Sequence, residues 1–498
     1  MPTHVASIWT SAAACAARLR RLRFCLPCPA SLAKIAESQS TTRGDGIVRE
    51  YDLVVLGTGS GGAAPASKCR AAGWSVAVVD DQPYGGTCAV RGCDPKKVLV
   101  GAADLVSWHS RMLGHGLDGE AKLDWPDLMR FKRSFTDPVP PSRQKAVEDA
   151  GILTLHGEAQ FTSTDTLAVG SNHFRARHVV VATGASPRQL SIPGEAHVTS
   201  STEFLELDSL PSRIVFIGAG FISLEFSHIA VRAGSVAIVL GRSRPLRHAD
   251  SEIVDALIEH TRAIGIDLRL DSEVMAVERD EVSGEFKVLV RNSEGEGEVL
   301  ADLVVHGAGR IPNTARLCCD KGGIRLDSHH AVEVNEFLQS TSNPIVYAAG
   351  DVTLPAGALP LTPVAAHEGA IIASNLLRGN SKRPDYRGIP SVVFTLPPLA
   401  SVGITESDAK AAGFKVKVRC EETTSWYANR RVREPAGMYK TIVDAESDEI
   451  LGAHLLGQHA EEVINLFAQA IRFGIPASAV MHSIYAYPTA CSDVPYML

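Results

Sequence analysis

The chain has 498 residues, of which 45% are hydrophobic and 21% charged, and its formal net charge is -7 at pH 7. This length exceeds what one hydrophobic core organises and predicts about two to four domains. The mild negative charge argues against a nucleic-acid partner. The 10 cysteines are too few for a disulfide scaffold, and no apolar run is long enough to predict a membrane-spanning segment.

Residues 1–48 differ in composition from the rest of the chain. They are rich in Ala, Ser and Arg, their first acidic residue is Glu37, and arginines cluster at positions 18, 20, 21 and 23. An Arg-rich, acid-poor start is typical of a mitochondrial presequence; a disordered tail or an upstream extension from a misplaced start codon is the alternative. We therefore expect a cytoplasmic location if the source is bacterial, or the mitochondrial matrix if this leader is a targeting segment.

A dinucleotide-binding motif follows the leader. An apolar strand predicted over residues 51–56 runs into a glycine-rich turn, a helix over 63–72 and a second strand over 76–79. In such a motif the first glycine makes the tight turn, the second lets the backbone approach a pyrophosphate, and the third lets helix and strand pack. An acid after the second strand binds a ribose. The three glycines are Gly57, Gly59 and Gly62, the acid is Asp80, and Ser60 inside the turn is a further candidate for cofactor binding.

Residues 84–97 read Tyr-Gly-Gly-Thr-Cys-Ala-Val-Arg-Gly-Cys-Asp-Pro-Lys-Lys and contain a cysteine pair. Cys88 and Cys93 bracket four residues, which brings them within disulfide reach if they share a distorted helix. Pro95 is expected to bend this helix, and the charges of Lys96 and Lys97 favour the reactive thiolate form. These features indicate a redox-active dithiol rather than two free core cysteines.

A second copy of the dinucleotide motif follows a strand predicted over residues 213–217. Gly218 and Gly220 occupy its first two glycine positions, and Ser223 replaces the third. The next strand, over residues 236–240, is followed by basic residues instead of an acid. These are Arg242, Arg244 and Arg247. Because guanidinium groups bind a 2′-phosphate that a carboxylate would repel, the site is predicted to prefer NADPH over NADH; an exposed basic loop without a ligand is the alternative.

Together these motifs resemble those of the class I pyridine nucleotide–disulfide oxidoreductases, the family of glutathione reductase, dihydrolipoamide dehydrogenase and mercuric reductase. The resemblance extends from about residue 50 to the C-terminus. It implies an α/β fold with two Rossmann-like dinucleotide-binding domains, for FAD and NAD(P), plus a C-terminal α+β dimerisation domain. The implied segments are a leader (1–48), the FAD-binding domain in two parts (49–195 and 317–386), the NAD(P)H-binding domain (196–316) and the dimerisation domain (387–498).

The resemblance also implies roles for individual residues. Cys88 would be the interchange thiol that meets the acceptor, and Cys93 would lie against the flavin and form a charge-transfer complex. Lys96 would lie beside the flavin N5 atom and pair with Glu225 on the helix of the second motif. Further contacts to the cofactors are implied for Gly86, Thr87, Lys97, Thr183, Gly184, Gly309, Asp351 and Thr362.

The C-terminal segment departs from the family pattern. Where glutathione and dihydrolipoamide reductases carry a catalytic His and a Glu that orients it, this chain has Tyr487 and Ser492. A phenol titrates near ~10 and is a poor base at neutral pH, although it could donate a proton. Ser67 and Ala370 stand where glutathione reductases have glutathione-binding arginines. Mercuric reductases share the Tyr but add a vicinal cysteine pair near the C-terminus, where this chain has only Cys491.

The sequence thus predicts an NAD(P)H:disulfide oxidoreductase-like flavoenzyme. We expect a homodimer with shared active sites, in which NADPH reduces FAD and FAD reduces the Cys88–Cys93 disulfide. The dithiol then reduces a small-molecule acceptor, either a small disulfide or a thiol-bound metal ion. Two alternatives are a flavin reductase of quinones or other direct oxidants without dithiol turnover, and a catalytically degenerate FAD-binding scaffold protein.

Overall fold

The structure is a computed structural model that describes residues 48–247 and 249–498, so the predicted leader falls outside the described residues except for its last position. The first domain contains β1 (Val48–Leu56), α1 (Ser60–Ala71), β2 (Val76–Asp80), α2 (Gly86–Arg91), α3 (Cys93–Met112), α4 (Trp125–Thr136), α5 (Val139–Asp149), β3 (Leu153–His156), β4 (Ala159–Phe161), β5 (Thr166–Val169), β6 (Asn172–Val181) and β7 (Ala185–Pro187). Its main sheet has the order β3-β2-β1-β6-β5-β4.

The central strands of this sheet are apolar on both faces. Residues 53–56 of β1 are buried, and β1 pairs in parallel with β2 and β6. Strands that bury both faces are typical of parallel sheets covered by helices. The carboxyl ends of β1 and β2 therefore meet at one edge of the sheet, where the glycine turn and Asp80 lie, and this edge is where parallel α/β sheets bind ligands.

The second domain repeats this plan on a smaller scale. It contains a 3₁₀ turn (Glu195–His197), α6 (Ser201–Phe204), β8 (Arg213–Ile217), α7 (Phe221–Arg232), β9 (Val236–Gly241), α8 (Ser251–Ala263), β10 (Asp267–Leu270), β11 (Glu273–Arg279), β12 (Phe286–Asn292), β13 (Gly295–Ala301), β14 (Leu303–His306) and β15 (Arg310–Pro312). The parallel sheet has the order β10-β9-β8-β14, and an antiparallel sheet β11-β12-β13 packs beside it.

The chain then returns to the first domain through β16 (Val346–Ala348) and α9 (Thr362–Arg378). β15 pairs antiparallel with β7, and β16 pairs in parallel with β6 as the seventh strand of the first sheet. α9 packs closely on α1, since a Cβ on Gly369 would lie 2.4 Å from the carbonyl oxygen of Gly61. Two distant segments of the chain therefore build one domain. The exact domain boundaries given in the sequence analysis stay a prediction.

The C-terminal domain is a five-stranded antiparallel sheet of order β17-β18-β21-β20-β19 with helices on it. Its elements are β17 (Ser391–Val393), β18 (Leu399–Gly403), α10 (Glu406–Ala411), β19 (Val416–Glu422), α11 (Tyr427–Arg430), β20 (Met438–Asp444), β21 (Ile450–Leu456), α12 (Ala460–Phe473), α13 (Ala477–Met481), a 3₁₀ turn (Ala490–Asp493) and α14 (Val494–Met497). Its apolar core lies between the sheet and α12.

A buried lysine ties this domain to the second one. The Lys440 ammonium lies 3.2 Å from Asp250, 2.7 Å from Glu406 and in contact with Glu252, and its side chain is almost fully buried. Because a buried ammonium needs such partners, the C-terminal domain is held in a fixed position on α8. Across the two described ranges, no helix has both the length and the apolar character required to cross a membrane.

Candidate active site

The first glycine-rich turn forms a narrow cradle between α1 and α2. Gly57 has φ +102°, and a Cβ there would lie 2.2 Å from a neighbouring carbonyl oxygen. Gly86 has φ +75°, and a Cβ there would lie 2.5 Å from the Cα of Gly59. A Cβ on Gly62 would lie 2.4 Å from the Gly57 carbonyl oxygen. Because only glycine fits here, the backbone at the start of α1, which begins at Ser60, is left open to a pyrophosphate.

Asp80 lies at the edge where the ribose is expected. Its Oδ2 accepts hydrogen bonds from the backbone N–H (2.8 Å) and hydroxyl (2.6 Å) of Thr58, and its Oδ1 accepts one from the Gln82 N–H (2.9 Å). These bonds fix the carboxylate beside the glycine turn. The lone pairs that remain on its two oxygens fit ribose hydroxyls, and this role stays a prediction.

The dithiol lies at a break between two helices. Cys88 belongs to α2 and Cys93 begins α3, with Gly92 between the helices. The expectation of one distorted helix bent by Pro95 is therefore wrong. Pro95 lies in the first turn of α3, where its missing N–H breaks no helical hydrogen bond, and α3 continues for 20 residues. A Cβ on Gly92 would lie 2.9 Å from the carbonyl oxygen of Thr87, so the break requires glycine.

The two thiols differ in acidity. Both are free, and their interaction with each other shifts their pKa values in opposite directions. This interaction, the Thr362 hydroxyl 3.6 Å from the Cys93 sulfur and the Lys96 charge lower the pKa of Cys93, against the opposing effect of desolvation. The interaction with Cys93 and burial raise the pKa of Cys88. These directions favour Cys93 as the thiolate of the pair, which fits the position predicted to face the flavin.

Lys96 and Glu225 meet in a nearly buried ion pair. Lys96 Nζ lies 2.8 Å from Glu225 Oε1, and the two side chains are 11% and 3% exposed. Glu225 Oε1 also accepts a hydrogen bond of 2.8 Å from the Phe394 N–H. The Phe394 ring centroid lies 4.2 Å from the ammonium groups of both Lys96 and Lys97, within cation–π range. Residues from all three domains therefore position Lys96, and Phe394 is a part of this site that the sequence analysis missed.

The backbone that carries Phe394 is clamped by the second domain. His228 Nδ1, on α7, accepts a hydrogen bond of 3.1 Å from the Leu396 N–H, and burial holds the pKa of His228 well below its usual value. His260 and Arg232 donate to the Leu396 carbonyl oxygen at 2.9 and 3.1 Å. Glu225, His228 and Arg232 lie along one face of α7, so this helix fixes the segment next to Lys96.

The return from the second domain passes the same edge. The Thr183 hydroxyl donates to the carbonyl oxygen of Asn313 at 2.9 Å, and the Asn313 N–H donates to that of Gly184 at 2.9 Å. Gly309 has φ +104° just before β15. These contacts join the residues just before β7 to the segment after β15, and β7 pairs with β15, so both crossings between the domains lie together.

Asp351 and Thr362 complete this edge of the site. Burial raises the pKa of the Asp351 carboxyl, and the charge of Arg310 partly offsets the effect. Thr362 begins α9, whose N-terminal end faces the dithiol through the contact with Cys93. The glycine cradle, the half-buried Asp351 and this helix N-terminus fit a bound FAD, which would lie between the pyrophosphate turn and the dithiol.

The second dinucleotide turn is closed as tightly as the first. Gly218 has φ +93°, and a Cβ there would lie 2.6 Å from the Cα of Ala308. A Cβ on Gly220 would lie 3.0 Å from the Gly307 carbonyl oxygen. Ser223 packs directly on Gly307, since a Cβ on that glycine would lie 2.0 Å from the serine hydroxyl. The third position of the motif thus tolerates serine because a glycine, the residue that follows β14, faces it.

The arginines after β9 are not equivalent. Arg244 forms an ion pair of 2.6 Å with Asp255 and also donates to a backbone carbonyl. The Arg242 side chain is 71% exposed, and its contact with Glu273, at 3.7 Å, is longer than that of Arg244 with Asp255. Arg247 donates a hydrogen bond to the neutral Ser243 hydroxyl. Arg242 and Arg247 therefore remain the basic side chains that a 2′-phosphate could engage.

Tyr487 does not join the dithiol within one chain. It is 78% exposed, its ring centroid lies 6.5 Å from that of Tyr427, and no hydrogen bond in the described part of the chain links it to either active-site cysteine. Cys491 is half-buried in the C-terminal core, where burial raises the pKa of its thiol. The C-terminal loop thus presents its tyrosine on the outer surface of the chain.

A second residue that the sequence analysis missed is Asp94. The Cys88 thiol donates a hydrogen bond to its carboxylate, with the sulfur 3.8 Å from Oδ1. Asp94 belongs to the cysteine-containing stretch of residues 84–97. The sequence alone does not show that the helix break at Gly92 brings its carboxylate next to Cys88.

Comparison with known proteins identifies the fold and the chemistry. The family model described as pyridine nucleotide-disulphide oxidoreductase matches residues 51–369, and the model of its dimerisation domain matches residues 389–497. The chain belongs to this family. Its enzyme class, its α/β architecture and its dependence on FAD and NAD(P)H are therefore those that the sequence predicted.

Individual relatives align with nearly nine tenths of this chain. A glutathione reductase of Burkholderia cepacia is 31% identical over 454 residues, covering 89% of this chain and 97% of the relative. A mercuric reductase of Staphylococcus aureus is 32% identical over 447 residues, covering 88% and 80%. The Cu(II) complex of the HOCl-induced flavoprotein disulfide reductase RclA from Escherichia coli has a TM-score of 0.80 at 27% identity, covering 90% of this chain and 99% of that one.

Proposed function

We propose that this protein transfers electrons from NADPH through FAD and the Cys88–Cys93 pair to a small disulfide or a thiol-bound metal ion. The observation that carries the proposal is the Cys93 sulfur, 3.6 Å from the Thr362 hydroxyl and next to the nearly buried Lys96–Glu225 pair, an environment that favours the thiolate at Cys93 over Cys88. A thiolate at Cys93 and a protonated Cys88 are the form that a disulfide takes after it accepts two electrons and one proton. A scaffold protein without catalysis would need neither this asymmetry nor the buried ion pair.

When bound, FAD supplies the two-electron step that takes a hydride from NADPH and passes the electron pair to the disulfide. The chain's own residues then control the thiols. Lys96 and the Thr362 hydroxyl stabilise the Cys93 thiolate, which leaves Cys88 to meet the acceptor. With a small disulfide, Cys88 attacks one sulfur and releases a thiol, and Cys93 then attacks Cys88, re-forms the chain's disulfide and releases the second thiol.

We propose NADPH rather than NADH as the electron donor. Among the described residues Arg247 has no ion pair and Arg242 has a long one, 3.7 Å from Glu273, whereas Arg244 is held at 2.6 Å by Asp255. β9 ends in Gly241 without a carboxylate that would repel the phosphate. Guanidinium groups bind such a phosphate with two hydrogen bonds each.

We further propose a homodimer in which the C-terminal loop of one copy completes the site of the other. Several large apolar side chains near this loop are exposed in the single chain, which is unusual unless a partner covers them. They are Phe473, Ile475, Met481, Ile484 and Tyr487. Burial of this surface in a two-fold interface would bring the Tyr487 loop to the second copy's dithiol.

The class of electron acceptor can be inferred in part from the charged residues that the site lacks. Ser67, where a glutathione-binding arginine is expected, is exposed and returns its hydroxyl to the Ala63 carbonyl oxygen, so it offers no charge to a peptide carboxylate. Two similar proteins are described with metals, a mercuric reductase and a Cu(II) complex of RclA. These observations favour thiophilic metals and small disulfides other than glutathione.

The test compares acceptors in the wild type, Cys88→Ser and, as a control, Cys420→Ser, which alters a half-buried cysteine on β19. We expect Cys88→Ser to lower the rates of NADPH-dependent disulfide and metal reduction at least about 100-fold, while the control variant keeps wild-type rates. If Cys88→Ser still reduces quinones, the proposal stands. If it still reduces disulfides and metal ions, the proposal is wrong, and the protein is a flavin reductase whose electrons bypass the dithiol.

A further inference from the structure

Asp94 places a carboxylate beside the sulfur that meets the acceptor. The Cys88 Sγ lies 3.8 Å from Asp94 Oδ1 and donates a hydrogen bond to it. Asp94 is exposed, and it is the second residue of α3, so the helix fixes its position relative to the dithiol. The neighbouring lysines do not neutralise it, since Lys96 pairs with Glu225 and Lys97 lies 4.0 Å from Glu461.

We infer that Asp94 makes the dithiol selective for positively charged acceptors, divalent thiophilic metal ions, over anionic disulfides. The inference rests on the proposed electron transfer through Cys88 and Cys93, and it adds which class of acceptor that dithiol takes.

The local charge balance supports this selectivity. The positive charges near the dithiol act on Cys93: the Lys96 ammonium stabilises its thiolate, and the Arg310 guanidinium interacts with both Cys93 and Asp351. Cys88 instead has the Asp94 carboxylate 3.8 Å from its sulfur. The charge next to the sulfur that meets the acceptor is therefore negative, so it attracts cations and repels anions over the first few ångströms.

The same carboxylate disfavours thiol–disulfide exchange. The pKa of Cys88 is raised first by its interaction with Cys93 and by burial, and the Asp94 charge adds to the effect, against the Thr362 hydroxyl. A raised pKa leaves less of the thiolate that attacks a disulfide. A metal ion instead displaces the proton from Cys88 and gains an adjacent oxygen donor from Asp94.

The reaction balances without any further reactant. The reduced pair, one thiol and one thiolate, and two divalent ions that each accept one electron give the Cys88–Cys93 disulfide, two monovalent ions and one proton. A single ion that accepts two electrons, such as Hg(II), is held by both sulfurs as a dithiolate with release of one proton, and its reduction would draw the electron pair from NADPH through bound FAD. Within the described ranges no group of three or more His, Cys, Asp or Glu side chains is placed to hold a metal, so the ion is a substrate that the thiols hold during transfer.

An acid in the first turn of a helix also stabilises that helix, so the test must separate charge at the dithiol from charge on the helix. We would compare the full-length wild type with Asp94→Asn and with Asp127→Asn, which removes an acid from the first turn of α4, away from the dithiol. The first readout is alkylation of Cys88 in chemically reduced protein by anionic iodoacetate and by neutral iodoacetamide, followed by peptide mass spectrometry. The second is kcat/KM for Hg(II) and for the anionic disulfide 5,5′-dithiobis(2-nitrobenzoate).

We expect Asp94→Asn to raise the iodoacetate-to-iodoacetamide rate ratio about five- to tenfold and to lower the metal-to-disulfide ratio of kcat/KM by a similar factor, since one unit charge near the surface is worth about this much. Asp127→Asn should change neither ratio. If Asp94→Asn lowers the melting temperature but leaves the alkylation ratio unchanged, Asp94 serves only the helix and the inference is overturned. If alkylation responds while the wild type turns over neither acceptor, the selectivity stands and the proposed electron transfer fails instead.

Discussion

Replacement of Glu225 by Gln tests whether the buried ion pair serves electron transfer. Gln keeps an oxygen that can accept the Phe394 N–H, so the change removes the charge and little else. The Lys96 ammonium then loses a partner 2.8 Å away in a site where both side chains are almost buried. Coulomb's law gives about 6 kcal/mol for such a pair at an effective dielectric constant of about 20.

The net loss is smaller because water and the Phe394 ring still stabilise the ammonium. Breaking one half of a buried ion pair costs about 3–5 kcal/mol, and we take the lower value because Lys96 is 11% exposed. If this energy holds Lys96 in the position used during flavin reduction, a loss of about 3 kcal/mol slows that step about 100-fold. Rapid mixing with NADPH, followed by flavin absorbance, measures the rate directly.

Glu434→Gln is a matched control. Glu434 lies 2.7 Å from Arg111, with side chains 0% and 12% exposed, so the pair is as close and as buried as Lys96–Glu225 but involves no residue of the dithiol. Both variants should lower the melting temperature, and only Glu225→Gln should slow flavin reduction. Equal rates in Glu225→Gln and the wild type would refute the reasoning, because the ion pair would then be purely structural.

Two other substitutions test the donor and the shared site. Arg242→Ala combined with Arg247→Ala should raise KM for NADPH at least about tenfold and leave KM for NADH nearly unchanged, because only NADPH carries the phosphate that these guanidiniums bind; equal effects on both donors would contradict the NADPH preference. Tyr487→Phe should lower kcat for dithiol turnover about tenfold if the phenol supplies a proton at the second copy's dithiol, and steady-state assays with a disulfide measure it. An unchanged kcat would leave Tyr487 with a packing role only.

The cofactor turns and the dithiol could be predicted from the sequence because their chemistry restricts the local residues. Gly57 and Gly218 adopt positive φ values against neighbouring backbone, and Cys88 and Cys93 stand at a fixed separation. Such constraints act within a few residues, so they appear as short patterns in the sequence.

The rest of the site depends on contacts between distant residues. Phe394 contacts Lys96 on a segment whose backbone α7 holds at Leu396 through His228, and these four positions share no sequence pattern. Asp94 lies inside the motif, yet its contact with Cys88 depends on the helix break at Gly92, which the prediction of one continuous helix did not include. Local patterns therefore indicated the cofactors, whereas the surroundings of Lys96 and Cys88 could be described only from the folded chain.

The central claim is that electrons from NADPH pass from the flavin to Cys88 and Cys93. Anaerobic titration of the purified protein with NADPH, followed by visible spectroscopy, tests it most directly. We predict a long-wavelength charge-transfer band after two electrons in the wild type and no such band in Cys93→Ser, because the band requires the thiolate of Cys93 against the flavin. Bleaching of the wild type directly to reduced flavin, without the band, would contradict the claim and leave the dithiol outside the electron path.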